Sequence, residues 1–300
     1  MPSLNALGFH PTIGMWIAAV LTLLPLLLAG LIPQTIFRVL QRFPTVVRIL
    51  LPALLCVPYA LVVRPRDLVH AGWLLLYATL PVCIAWMLRT ARLADATCRG
   101  DWRDFVVLSL LGLAVDLRWF ERAWPPHLAI FSKMILLDAG IYGFLFMREL
   151  NGVGFTFLIR TRDVRTGLRE FVLYTPIALI IGLSLRFLHL HAAIPRLATV
   201  LFAYFFTFLF IAIPEELFFR GWAQNLLERR IGRRPALLLT SLIFGLSHFN
   251  KRAVHFNWRY VLLAAIAGVF YGRAWREDRR VSASAITHAC VDTVWSQWLR

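Results

Sequence analysis

Long apolar runs recur along this whole 300-residue chain, and this recurrence limits what the chain can fold into. Hydrophobic residues make up 59% of the chain and charged residues 16%, whereas a soluble domain usually carries about 25% charged residues. Crossing the hydrocarbon of a bilayer takes roughly 20 apolar residues as a helix. The candidate spans are residues 12–31, 46–63, 68–87, 105–120, 128–147, 170–188, 198–213, 236–248, 260–271 and 281–299.

These runs are solidly apolar and do not alternate with polar residues, which excludes a closed transmembrane barrel. We therefore predict an all-α fold, a polytopic bundle of about ten transmembrane helices with a range of eight to ten. The span at 105–120 is the weakest because the run is short and Asp116 interrupts it.

The formal net charge of +16 comes mostly from arginines in the loops between the spans. Loops that follow odd-numbered spans hold twenty basic residues, and those that follow even-numbered spans, with the C-terminal residue, hold ten. This asymmetry follows the positive-inside rule and predicts that both termini face outside, provided that the number of spans is even. It explains the charge without nucleic acid, so the expected partner is the lipid bilayer.

A polar stretch at residues 148–169 divides the chain. It contains the turn signal Asn151-Gly152-Val153-Gly154, which is followed by several arginines. We predict an N-terminal transmembrane helical region of unknown role at residues 1–165 and a second module at residues 166–300.

Three polar clusters lie inside predicted spans of the second module, within about eighty residues. A charged side chain near the bilayer centre costs at least ~2.5–3.5 kcal/mol, so each cluster marks a candidate functional site. The clusters are Glu215-Glu216-x-x-x-Arg220, Phe244-x-x-x-His248 and His288-x-x-x-Asp292.

The first cluster separates its two carboxylates. Glu216 and Arg220 are four residues apart, share a helix face and can form an ion pair. Glu215 is turned by about 100° around the helix axis and can act as a base in a different environment. Pro214 removes a backbone hydrogen bond just before the pair, which favours a kink with room for water. The alternative is an interhelical ion network in which Glu215 pairs elsewhere.

The three clusters also agree in depth. Glu215 lies 14 residues before the basic turn at residues 229–234, and His248 lies 14 residues after it. At 1.5 Å per residue, both are ~21 Å from the same face. Counted from the next basic turn, Asp292 is ~18 Å deep and His288 ~12 Å deep. This agreement favours a single polar site.

Two mechanisms of hydrolysis fit these side chains. Without metal, Glu215 takes a proton from a water that His248 helps to position, and donors around His288 stabilise the oxyanion. With zinc, Glu215, His248 and His288 form a His₂Glu site. The absence of HExxH and of its reverse weakens the zinc alternative. Serine catalysis is weaker still, because Ser247 directly precedes His248 and no GxSxG occurs.

The order EExxxR, FxxxH, Hxxx(N/D) on successive helices resembles the CAAX protease and bacteriocin-processing family of intramembrane endopeptidases, which includes the type II CAAX prenyl endopeptidases. The resemblance covers about residues 198–299 and extends to Gly221 after the arginine. It implies that residues 166–300 form a CAAX prenyl protease-like domain. It leaves the N-terminal half unexplained.

The resemblance also implies roles for the matching residues. Glu215 would be the general base, His248 its partner, and His288 with Asp292 would form the oxyanion site. Glu216 and Arg220 would brace the helix, with Phe244 as structural support. No cofactor is expected under the metal-free mechanism.

We therefore expect an intramembrane endopeptidase that cleaves a membrane-associated peptide or protein, located as a multi-pass protein in the bacterial inner membrane. The alternative is a non-catalytic membrane scaffold or bacteriocin-immunity protein that keeps the fold. An ion-coupled transporter is disfavoured because the sequence shows no matching halves.

Asp292 departs from the commonest pattern of the family, in which asparagine is frequent at this position. Asparagine donates an N–H to an oxyanion, whereas an ionised aspartate repels it. Asp292 either is protonated by burial or accepts a hydrogen bond from His288 and orients the ring.

For this reason we expect Asp292→Asn to keep most of the peptidase activity and Glu215→Gln to abolish it, as measured by product formation from the purified variants. An equal loss in both variants would show instead that Asp292 acts as an acid, a base or a ligand.

Overall fold

The computed structural model describes residues 11–63, 67–191, 194–251 and 255–299. Within these ranges the chain is helical and contains no strand, which confirms the all-α prediction. The principal helices are α1 (Ile13–Leu31), α2 (Pro33–Leu40), α3 (Thr45–Val63), α4 (Leu68–Ala94), α5 (Trp102–Asp116), α6 (Ile130–Met147), α7 (Thr161–Ser184), α8 (Leu197–Ile231), α9 (Arg233–Leu246), α10 (Trp258–Asp278) and α11 (Val281–Trp298).

Six of these helices in the described ranges are long and apolar enough to cross a membrane, namely α1, α3, α4, α6, α7 and α8. The chain is therefore an integral membrane protein, and the predicted count of about ten spans is not confirmed. Helices α5 and α9 have 15 and 14 residues, which is short of the roughly 20 residues that a span needs. Helices α10 and α11 are longer but carry many polar side chains.

The charge asymmetry predicted above includes Arg64, Arg66, Arg252 and Arg300, which lie outside the described residues. The orientation of the chain in the membrane stays a prediction.

The chain divides into two compact units. Unit 1 comprises Met1–Ala96 and Asp101–Glu149, and unit 2 comprises Thr97–Gly100 and Leu150–Arg300. Unit 2 contains all three polar clusters. The functional division predicted at residue 165 stays a prediction.

Unit 1 is built around α6, of which 72% of the span is buried, compared with 22–28% for α1, α3 and α4. The low burial of those three helices fits segments whose apolar side chains face lipid. A fully buried Arg148 binds Asp104 at 2.7 Å and Asp95 at 2.8 Å, so this charge is paired within the unit.

Unit 2 packs α9 closely against α10. A Cβ atom on Gly245 would lie 2.5 Å from the carbonyl oxygen of Val261 and 2.7 Å from Cβ of Ala265. Only a residue without a side chain permits this approach, as is usual where membrane helices touch. The contact fixes the end of α9, where the second polar cluster lies.

An aromatic core fills the space between α7, α8, α9 and α10. Its buried members include Tyr174, Phe219, Phe244, Phe270 and Tyr271. Phe219 and Phe244 meet edge to face at 5.0 Å between ring centroids, an arrangement that aromatic pairs prefer. The polar clusters of unit 2 are thus placed against rigid, well-packed rings.

The turn signal before α7 generates a test of this packing. Gly154 has a φ angle of +72°, and a Cβ atom there would lie 1.6 Å from the carbonyl oxygen of Arg279. We expect Gly154→Ala to lower the free energy of unfolding by more than the ~1–3 kcal/mol of backbone strain alone. Thermal melting in detergent measures the change.

Gly72→Ala is the matched control, because a Cβ atom on Gly72 has no heavy atom within 4 Å. Its melting temperature should stay the same or rise slightly, since alanine favours a helix. An unchanged melting temperature for Gly154→Ala would contradict the described packing.

Candidate active site

The two adjacent glutamates of α8 face different surroundings. Helix α8 is α-helical at Ile213–Glu216, where the glutamates lie, and π-helical on both sides, at Phe208–Ala212 and at Leu217–Gln224. π-Helical turns are frequent at functional sites, and here they flank Pro214. The side chain of Glu216 is fully buried, whereas that of Glu215 is 27% exposed.

Glu216 is held by three partners. Its Oε2 accepts a hydrogen bond from Nε of Arg220 at 3.0 Å and another from the hydroxyl of Ser284. Its Oε1 lies 2.9 Å from Nδ1 of His288. A buried carboxylate is tolerated when its oxygens are paired and hydrogen-bonded in this way. The predicted Glu216–Arg220 pair is therefore present.

A ladder of polar side chains continues from this pair along α8, with one member every four residues. Arg220 donates from Nη1 to Gln224 at 3.3 Å, and Gln224 donates to Glu228 at 3.2 Å. Glu228 ends the ladder by pairing with Arg276 at 2.8 Å and with Arg279 at 2.9 Å. The ladder joins the glutamate pair to the basic end of α10.

His248 lies just past the C-terminal end of α9 and is 5% exposed. Its Nδ1 lies 2.8 Å from the carbonyl oxygen of Phe244, one turn earlier. A carbonyl only accepts, so Nδ1 donates, and in the neutral ring Nε2 is left as an acceptor. The rings of Phe244 and Tyr260 lie 4.9 and 4.8 Å from the imidazole and fix its plane.

The structure places the hydroxyl of Ser247 3.2 Å from Nδ1 of His248. The same hydroxyl donates to the carbonyl of Phe244 at 2.8 Å. The sequence did not predict this contact, because neighbouring residues on a helix point in different directions. Because Nδ1 and the hydroxyl both turn toward one carbonyl, the contact does not present the serine as a nucleophile.

His288 lies among three carboxylates. Nδ1 contacts Glu216, while Nε2 lies 3.6 Å from Oδ2 of Asp292 and 3.9 Å from Oε2 of Glu215. The ring is stacked on Tyr271 at 4.7 Å between centroids. The structure thus brings the third cluster to the first, as the common depth predicts.

Asp292 is one turn from His288 on α11, and its side chain is 31% exposed. The 3.6 Å separation is the distance of an ion pair and is longer than a direct hydrogen bond. The partial exposure of Asp292 disfavours protonation by burial, and the predicted hydrogen bond from His288 is not formed at this distance, so Asp292 faces the imidazole as an ion-pair partner.

Lys251 is a member of the site that sequence reasoning missed. Its Nζ lies 3.6 Å from Oε1 of Glu215. It lies in a loop between two predicted spans, and its position three residues after His248 was the available signal. Ser284 was also missed, although it lies four residues before His288 on the same helix face.

An aromatic-lined cleft with a cavity volume of about 70 Å³ opens beside the histidines. Its lining includes Phe171, Tyr174, Phe187, Tyr260 and Trp295 among the rings, with His248, His288 and Asp292 as polar members. Glu215 does not line it. A mostly apolar cleft with a few convergent polar groups suits an organic ligand with an apolar segment.

The described residues contain no group of three or more His, Cys, Asp or Glu side chains arranged to hold a metal ion. The zinc alternative, with Glu215, His248 and His288 as ligands, therefore does not fit the geometry. One nitrogen of His288 faces Glu216, and its other faces two carboxylates.

Three carboxylates and two side chains with permanent positive charge meet in the described part of the site. The carboxylates are those of Glu215, Glu216 and Asp292, and the cations are Arg220 and Lys251. A protonated His288 would balance the remaining charge. Such a balance lowers the cost of holding charges in a membrane.

These helices and this buried polar site define an integral membrane protein with a cluster of ionisable side chains in its second unit. Residues 196–294 match the family model described as type II CAAX prenyl endopeptidase Rce1-like. This range contains all three clusters, and the match confirms the predicted resemblance to the CAAX protease family. It supports a membrane protease. No curated protein and no solved structure matches the chain significantly.

The buried pair on α8 generates a test of stability. We expect Arg220→Gln to lower the free energy of unfolding by about 3–5 kcal/mol, because it leaves the Glu216 carboxylate buried without its cation. Thermal melting in detergent measures the loss. Glu215→Gln is the matched control, since this side chain is 27% exposed and has room to relax. Equal melting temperatures for the two variants would show that Ser284 and His288 suffice to hold Glu216.

Proposed function

We propose that this protein is an intramembrane endopeptidase that hydrolyses a peptide bond of a membrane-associated substrate. The observation that carries the proposal is the state of Glu215. Its Oε2 is buried, and among the described residues no group donates a hydrogen bond to it. A carboxylate oxygen with free lone pairs, held at a polar site, is suited to accept a proton from water.

His248 supports the same role. The Glu215 carboxylate interacts electrostatically with His248, His288 and Lys251. Because Nδ1 of His248 donates to a backbone carbonyl, its Nε2 is able to accept one hydrogen of the water while Glu215 accepts the other. Two acceptors that hold the two hydrogens direct a lone pair of the water at the scissile carbonyl.

The reaction then proceeds in two proton transfers. Water attacks the carbonyl carbon, its proton passes to Glu215, and the carbonyl electrons move to oxygen to form an oxyanion. The oxyanion collapses, the C–N bond breaks, and the proton on Glu215 passes to the leaving amine. The products are a carboxylic acid and an amine, and Glu215 is returned to its starting state.

The neighbouring residues keep this arrangement in place. Glu216 and Arg220 hold α8 to α11 through His288 and so fix the distance between the clusters. Phe244 packs on the rings of both histidines, at 4.9 and 5.7 Å. We assign these three residues to structural support and Glu215, His248 and His288 with Asp292 to catalysis.

The substrate is a peptide or protein that reaches the site from the bilayer. The apolar cleft beside the histidines accommodates an apolar segment more readily than a polar one. We place the protein in the bacterial inner membrane, where exported and membrane-anchored peptides are processed. In this proposal the positive-inside asymmetry places both termini of the chain outside the membrane.

A deletion strain tests the proposal. We expect uncleaved membrane peptides to accumulate in the strain and to disappear when the wild-type protein is returned. Glu215→Gln and His248→Gln should leave them uncleaved, because removing a general base or its partner costs about 10²–10⁴ in rate. Mass spectrometry of membrane peptides measures the outcome.

Ser247→Ala is the matched control for these variants, because Ser247 contacts His248 but has no role in the proposed steps. It should restore processing. Full processing by Glu215→Gln would favour the non-catalytic scaffold or immunity protein instead.

A further inference from the structure

The backbone of Lys251 is fixed next to the second polar cluster. Its N–H donates to the carbonyl of His248 at 3.2 Å. Its carbonyl accepts a hydrogen bond from the side-chain amide of Asn257 at 3.1 Å. Asn257 also accepts from the N–H of Tyr260 at the start of α10. The lysine is therefore tied to the ends of α9 and α10 on either side of it.

The side chain of Lys251 reaches across to α8. Its Nζ lies 3.6 Å from Oε1 of Glu215, with 36% of the side chain exposed. Only two of the 32 basic residues of the chain are lysines, Lys133 and Lys251. A lysine ammonium is a compact charge with three donors on a flexible stem, so it can change partner over a short distance.

The reaction requires an oxyanion donor, and Asp292 of the third cluster does not supply one. Asp292 is acceptor-only when ionised and would repel an oxyanion. His288 has one ring nitrogen against Glu216 and the other between two carboxylates. Arg220 is fully buried against Glu216. Among the cationic groups described at the site, Lys251 is the one with an exposed side chain.

We propose that Lys251 is the oxyanion-stabilising residue of this site and takes the place that a donor at position 292 would otherwise have. The inference rests on the proposed peptidase function. In the resting site the ammonium is paired with the Glu215 carboxylate. When Glu215 accepts the proton of the attacking water, its negative charge disappears and an equal charge forms on the carbonyl oxygen.

The ammonium then changes partner from the neutral carboxyl to the oxyanion. No proton leaves Lys251, and the total charge of the site stays constant through the step. When the C–N bond breaks, the oxyanion returns its electrons to the carbonyl and Glu215 gives its proton to the amine. The ammonium then pairs again with the Glu215 carboxylate. The negative charge moves from Glu215 to the oxyanion and back, and the Lys251 ammonium is its counterion at each stage.

Purified Lys251 variants in detergent test this role. The substrate is a fluorescence-quenched peptide that spans the cleavage site identified by the deletion-strain comparison. We expect Lys251→Gln to lower kcat by about 10²–10³ with KM little changed, the usual loss for one oxyanion donor. Lys251→Arg keeps the charge and should retain more activity than Lys251→Gln.

A second variant separates this role from a structural one. Adding Asp292→Asn to Lys251→Gln removes the repelling carboxylate and supplies an N–H donor, so kcat should recover by about tenfold or more. Lys133→Gln is the matched control, because Lys133 lies in unit 1 and pairs with Glu121 at 2.9 Å. This control should keep the wild-type kcat.

The outcomes are distinguishable. If Lys251→Gln keeps the wild-type kcat while Glu215→Gln is inactive, the proposed function stands and the role of Lys251 is overturned. A loss that lies entirely in KM, or a double variant no better than the single one, overturns it as well. If Glu215→Gln is fully active, or if the wild type cleaves nothing, the proposed function is wrong, and the role of Lys251 is then wrong as well.

Discussion

A fully buried carboxylate, that of Glu216, is the constraint on which unit 2 depends. In a bilayer an unpaired charge at this depth is expensive, so its partners have to come from the protein. Arg220 supplies the charge from the same helix, and Ser284 and His288 supply donors from α11. The two donors from α11 reach Glu216 only if α8 and α11 keep their present separation. The hydrogen bonds that the buried Glu216 carboxylate requires therefore set the distance between α8 and α11, which bear the first and third clusters.

The adjacent glutamates have different roles because they point to different sides of the helix that carries them. Regular α-helix turns consecutive residues by about 100°, and the π-helical segments around Pro214 change the turn further on both sides. Glu216 is thereby enclosed, while Glu215 keeps an oxygen without a donor among the described residues. Glu216 thus stabilises the helix packing, while Glu215 stays free to accept a proton. One environment could not serve both purposes, because pairing stabilises a carboxylate and also occupies its oxygens.

Much of this arrangement was readable from the sequence, because spacing on a helix has direct geometric meaning. Four-residue intervals predicted the pairs Glu216–Arg220 and His288–Asp292, and residue counts from the basic turns predicted a common depth. The number of membrane spans could not be predicted from the sequence. Helix α9 is short and α11 carries polar side chains, and both helices are covered by other parts of unit 2 rather than by lipid alone. Lys251 was missed because its contact with Glu215 depends on a turn between helices, which no periodicity describes, and only its closeness to His248 in the sequence pointed to it.

The polar ladder from Glu216 to Glu228 has a mechanical consequence. It runs along α8 from Glu216 to Glu228 and is bonded at one end to α11 and at the other to α10. Bilayers differ in thickness, and helices that are free to respond do so by tilting separately. The ladder is bonded at both ends and so couples α8 to α10 and α11. A change in membrane thickness that tilts one of these helices therefore acts against the hydrogen bonds and ion pairs that join all three.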